Sequence, residues 1–220
     1  VRTPADPETR LDVIAERFDD FARRYGAGNI EGLGISTRGI VDSRNGVITA
    51  GNLPRWVKVP VKEALQKRCG VPVHVENNVR AAALAEYDHS ASEAEGKQCV
   101  LFVLSDEGLG VGVIMDGKLY HGPRMSAGEF GQMVIADQGG AETHDRPGCF
   151  EKMVCNPAIW ERYAKVTTGR ASVQSGDSAA RVKRICHRAL DGEPEAVETL
   201  KTTARYLGIG LSHLIWGLDP

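Results

Sequence analysis

The chain has 220 residues, 42% of them hydrophobic and 25% charged, with a formal net charge of -2. That balance suits a folded globular protein of one or two domains and excludes a strongly basic nucleic-acid surface. No run of residues approaches the roughly 18 to 20 apolar positions that span a bilayer, and five scattered cysteines fit reduced thiols rather than a disulfide framework, so a cytoplasmic location is expected.

Residues 7–25 place Leu11, Ile14, Phe18, Phe21, Ala22 and Tyr25 at helical spacing, with Gly26 and Gly28 as the stop. "IEGLGIS" (30–36) reads as a buried strand, "DSRNGVI" (42–48) as a hairpin around Asn45-Gly46, and 61–69 as a short helix. The strand "VPVHVE" follows, running straight into the Ala-rich helix of "VENNVRAAALAE" (75–86), with amides at the junction. A polar stretch at 88–97 precedes the strand "QCVLFVLS" (98–105), and "GLGVGVIMDGKLYHG" continues it through an Asp116-Gly117 turn. These features predict an α/β chain with two domains, 1–92 and 93–220. A loop over 133–150 leads to helices at about 157–165, 176–190 and 194–216. A first helix with no strand before it, and an end directly after a long helix, predict a fold incomplete at both ends.

The segment "SDEGLGVGVIMDG" spaces Gly108, Gly110 and Gly112 so that backbone N–H groups could approach an anion, although glycines in a hairpin also mark bulges or close packing. "SAGEFGQ" (126–132) and "HDRPGCFE" (144–151) follow it. Taken with "VENNVRAAALAE", "GLGISTRGIVD" and "GNLPRW", these segments resemble the ROK family of bacterial repressors and sugar kinases. That resemblance implies the two-lobed actin-like ATPase and sugar kinase fold, with ribonuclease H-like lobes, a sugar cleft between them, and self-association as a homodimer or tetramer.

The departures from the family pattern set the expected function. In kinase members an Asp takes the proton from the attacking sugar hydroxyl; the matching residue here is Asn78, which cannot act as a base. General-base assistance is worth about 10²- to 10⁴-fold. Where the family's kinases carry Thr in the glycine loop, this chain has Glu107, whose charge would repel ATP phosphates by about 1 to 4 kcal/mol at close range. The family's zinc ligands, one His and three Cys, correspond to Gln132, Glu142, His144 and Cys149, so no metal is expected. Asn77, Glu129 and Glu151 match hexose-binding positions, with Asn78 and Gln132 as polar substitutes for the Asp and His. Simpler structural roles stand beside each: Glu129 capping a turn, Glu151 beginning a helix, Asn77 filling a turn. Trp56 is read as a packing anchor, "RVKRICHR" (181–188) as a solvated helical face, and Arg80 has no assigned role.

The expectation is a sugar-sensing effector domain of a ROK-type transcriptional regulator, without a cofactor, that binds a hexose or amino sugar and does not phosphorylate it. DNA would be contacted through a helix-turn-helix outside this segment, and no membrane is involved. An ATP-dependent sugar kinase and a non-catalytic scaffold that has lost sugar binding are the alternatives.

Overall fold

A computed structural model describes residues 6–50, 55–90, 97–137, 147–167 and 177–220. Helix α1 (Pro7–Tyr25) starts where the sequence places it because Asp6 caps it, its carboxylate accepting from Thr9 N at 3.0 Å, and because Pro7 suits a first turn. Gly26, at φ 84°, ends it. Leu11 is fully buried, but Phe21 and Tyr25 are 59% and 53% exposed, so the buried stripe is narrower than the periodicity predicts. The reason is that α1 packs along the short helix α2 (Val61–Cys69), which cannot cover all of α1.

Strands β1 (Leu33–Thr37) and β4 (Val73–Asn77) pair in parallel, Ile35 opposite Val75, and α2 lies between them in the chain. The antiparallel strands β2 (Ile40–Asp42) and β3 (Val47–Ala50) form the expected hairpin. Its turn is tied by the Asp42 carboxylate, which accepts from Arg44 N, Asn45 N and Asn45 Nδ2 at 2.7 to 3.2 Å. Val41, Ile48, Trp56, Leu65, Val73 and Val75 pack with Leu11 into one core, each large aliphatic side chain contributing about 1.5–3 kcal/mol. Trp56 is thus a core anchor. Helix α3 (Asn78–His89) follows β4 without a linker.

The second strand group is an antiparallel sheet, β5 (Cys99–Ser105), β6 (Leu109–Met115) and β7 (Lys118–Leu119), in that order. Gly110 and Gly112 are strand residues opposite Leu104 and Phe102; Gly108 alone of the three lies in the connecting loop. A short 3-10 turn (Phe130–Gln132) and the helices α4 (Phe150–Val154), α5 (Asn156–Val166), α6 (Ser178–Leu190) and α7 (Pro194–Leu218) complete the described elements. Phe150, Met153, Val154 and Leu214 pack on Leu109, Val111 and Val113, and Ile159, Tyr163, Ile185 and Ala196 make a second cluster among the helices. The basic run on α6 is not simply solvated. Arg181 lies 5.2 Å from the centre of the Trp160 ring and Arg188 donates to Tyr163 Oη at 2.6 Å, so the run packs helix on helix.

Two compact units result. One comprises 1–89 with 120–127; the other comprises 90–119 with 128–220.

In α7, Gly210 lies under the buried Phe150 ring, and a Cβ there would stand 2.2 to 2.5 Å from ring carbons. Gly210→Ala is expected to destabilise the second unit, because overpacking costs about 1–3 kcal/mol and outweighs the gain of up to about 1 kcal/mol in helix propensity. Gly208→Ala, with nothing within 4 Å of its added Cβ, should instead stabilise by about 0.5–1 kcal/mol. Urea midpoints of the two variants should move in opposite directions.

Candidate functional site

Two side-chain clusters hold the residues singled out in the sequence, one in each unit. In the first unit the carboxyl end of β4 meets the first turn of α3. Asn77 Oδ1 accepts from Val79 N at 2.9 Å and Arg80 N at 3.2 Å, capping α3, while its Nδ2 donates to Gly39 O at 2.9 Å. Only one Nδ2 hydrogen is left for a ligand. Asn78, half-buried at the helix start, has no side-chain hydrogen bond among the described residues, so both ends of its amide are open to a hydroxyl.

The same junction rests on a residue whose role the sequence did not disclose. Arg80 is 3% exposed, and its guanidinium is satisfied in three directions: Nε lies 3.0 Å from Glu76 Oε1, Nη1 donates to Met125 O at 3.2 Å, and Nη2 donates to Val41 O at 3.1 Å. Glu76 Oε1 also accepts from Asn77 N at 2.7 Å. Its other oxygen accepts from Ser43 Oγ at 2.8 Å and lies 2.7 Å from His121 Nε2. Met125 holds a left-handed backbone, φ 57°, which costs a non-glycine residue about 1–2 kcal/mol. The Arg80 bond to its carbonyl helps to hold that conformation. A hint was present in the sequence, since Glu76 and Arg80 stand four apart across the strand-to-helix junction; the remaining partners of Arg80 are backbone carbonyls, which leave no pattern.

In the second unit the β5–β6 loop is tied to the starts of three helices. Leu109 N donates to Glu151 Oε2 at 2.8 Å, with Glu151 in the first turn of α4. Asn156, the first residue of α5, donates from Nδ2 to Asp106 Oδ1 at 2.6 Å and from its backbone N to Asp106 O at 2.7 Å. Ser178, the first residue of α6, donates from Oγ to the Glu107 carboxylate. Glu107 is exposed, yet it is held by this hydroxyl rather than pointing free into solvent. Glu129 N-terminally flanks the 3-10 turn and is exposed, as is Gln132 at the turn's end. Gly131, between them, faces the Glu151 side chain, so the structure brings this turn, Glu151 and the glycine loop together.

Cys149 is buried immediately before α4 and pairs across an isolated bridge with Val134. Phe150 N donates to Met133 O at 2.7 Å and Ile135 N to Gly148 O at 2.9 Å, so the ends of the 133–150 loop are joined by backbone hydrogen bonds. Glu142 and His144 lie outside the described residues. Among the described residues no three His, Cys, Asp or Glu side chains converge as a metal site. Nearby, burial pushes the Cys155 thiol up to about 11, so it is expected to resist thiol reagents. No helix among the described residues is long and apolar enough to cross a membrane.

Comparison with known proteins adds the family context. The family model described as "ROK family" matches residues 1–220. A glucokinase of Streptomyces coelicolor is 34% identical over all of this chain, which covers 70% of that protein. A xylose repressor of Bacillus subtilis is 26% identical over 97% of the chain, which covers 53% of the repressor. Among solved structures, a ROK family glucokinase from Streptomyces griseus, in complex with glucose and AMPPNP, is similar with a TM-score of 0.80 and 28% identity, over 100% of this chain and 72% of that one. Kinases and repressors therefore both stand among the relatives.

Removing the Arg80 guanidinium would take the buried ion-pair partner from Glu76 and leave two carbonyls without their donor. Arg80→Ala is expected to cost about 3–5 kcal/mol, the usual penalty for breaking a buried ion pair, with Arg80→Lys recovering part of it through one bond only. Equilibrium unfolding in urea measures both. Protein purified without added zinc should carry well under one zinc per chain by elemental analysis, since only Cys149 retains the family's ligand type.

Proposed function

The chain belongs to the ROK family, and from that premise we propose that it is a sugar-binding effector unit of a transcriptional regulator, one that holds a hexose or amino sugar without phosphorylating it. The observation that carries this reading is Asn78: an amide, open to a ligand hydroxyl and incapable of taking its proton, stands at the position where the family's kinases place their base. Hydroxyl binding falls to Asn77, Asn78, Glu129, Gln132 and Glu151. Amides and carboxylates together offer the donors and acceptors that a pyranose needs.

Two features of the β5–β6 loop support a site without ATP. The Leu109 N–H, a donor of the kind that cradles phosphate, is spent on Glu151. The loop also carries the charges of Asp106 and Glu107, each fastened to a helix start, which disfavour a polyphosphate. Sugar binding would then act by differential affinity for two conformations, with DNA contacted through a helix-turn-helix outside this segment and a homodimer or tetramer as the working assembly.

A second reading, an ATP-dependent sugar kinase, is favoured by the 34% identity to the Streptomyces coelicolor glucokinase over the whole chain. Coupled ADP release with ATP, Mg²⁺ and common hexoses separates the two. No turnover is expected, whereas turnover near about 1 per second would make the kinase reading correct.

For the sugar itself, Glu129→Ala should remove a charge-assisted hydrogen bond worth about 1.5–3 kcal/mol and weaken binding by about one to two orders of magnitude. Asn78→Asp keeps shape and acceptor capacity and should change affinity by no more than about a few-fold. Calorimetry with whichever hexose raises the melting temperature gives both numbers; equal affinity in wild type and the Glu129 variant would remove Glu129 from the site.

A further inference from the structure

Glu151 lies between two glycines. A Cβ on Gly108 would stand 2.8 Å from Glu151 Oε2, and one on Gly131 would stand 2.5 Å from Leu109 O and 3.3 Å from Glu151 Cβ. The side chain is therefore flanked by the β5–β6 loop on one side and the turn carrying Glu129 and Gln132 on the other. Its Oε2 accepts the Leu109 N–H at 2.8 Å. The loop so held is fastened again through Asp106 to Asn156 at the start of α5 and through Glu107 to Ser178 at the start of α6. Leu109, Asp106 and Glu107 thus join this one loop to the starts of three helices.

We propose that Glu151 couples sugar occupancy to the β5–β6 loop, one carboxylate serving both a sugar hydroxyl and the Leu109 N–H. The inference rests on the sugar-binding reading above and adds how binding is relayed. A carboxylate has about four lone-pair sites, so a peptide N–H and sugar hydroxyls can be accepted together. The glutamate surrenders its rotamer freedom once, and whichever partner engages first spares the other that cost. Sugar binding and loop fastening therefore favour each other, and by linkage each strengthens the other by the same factor.

The test combines calorimetry and amide hydrogen exchange on the whole chain, with glucose, mannose, N-acetylglucosamine and xylose as probes. The bound sugar at saturation should slow exchange of the Leu109 amide by about fivefold or more, a typical coupling factor. Gly108→Ala should fold, since its Cβ meets only the far end of a flexible side chain. By displacing Oε2 it should speed Leu109 exchange and weaken sugar binding by about the same factor, although residue 108 is not among the proposed sugar-binding groups. Glu151→Gln, which keeps the shape and one acceptor oxygen, should weaken both together. Sugar binding to wild type with Leu109 exchange unchanged, or a Gly108→Ala protein with faster Leu109 exchange and unaltered sugar affinity, would overturn the coupling and leave the sugar reading standing. Failure of every probe to bind wild type would overturn both.

Discussion

A guanidinium out of water must have its N–H groups met, and the first unit is arranged around meeting those of Arg80. Doing so draws together the carbonyl of Val41 on β2, the carboxylate of Glu76 on β4 and the carbonyl of Met125 in the 120–127 segment. Of these groups only Glu76 is near Arg80 in sequence. The cost of burying the charge becomes a constraint on geometry, because a shift of any one partner leaves a charge or a carbonyl uncompensated. Asn77 and Asn78 inherit their placement from it: the peptide N–H of Asn77 is fixed by the same Glu76 oxygen that faces Arg80.

The second unit solves a related problem with the opposite charge. Three acidic side chains, Asp106, Glu107 and Glu151, are gathered at its β5–β6 loop. Each is satisfied by a donor from inside the protein. In the first unit a buried cation organises backbone acceptors; in the second, carboxylates organise backbone and side-chain donors at helix starts.

Much of the fold was legible because its boundaries are set by local chemistry. Helix α2 falls on 61–69 as expected since Gly70, in the left-handed conformation, stops it, and α1 is bounded by an Asp cap and a glycine. The β2–β3 turn follows from Asp42 and Asn45-Gly46. Periodicity misled at Phe21 and Tyr25, because a helical stripe states which residues could be buried and not whether a neighbour is long enough to cover them. Helix α4 was foreshadowed only as a structural role for Glu151, its five residues being too short for a period to show. Of the site, Asn77 was expected to fill a turn and instead caps α3, while the anchoring of Arg80 to two carbonyls and the Leu109–Glu151 bond left no sign in the sequence. Both depend on main-chain partners distant in sequence, and a main-chain partner has no letter in the sequence.

The joined ends of the 133–150 loop carry a consequence for how this chain can be altered. Phe150 N and Ile135 N reach Met133 O and Gly148 O, so the turn with Glu129 and the start of α4 are fastened to each other through main-chain atoms, and the fastening itself asks for no particular side chain. The exception is Gly148, at φ 73° and with a Cβ that would fall 1.8 Å from Ala136 O, where any side chain would push the two sides apart.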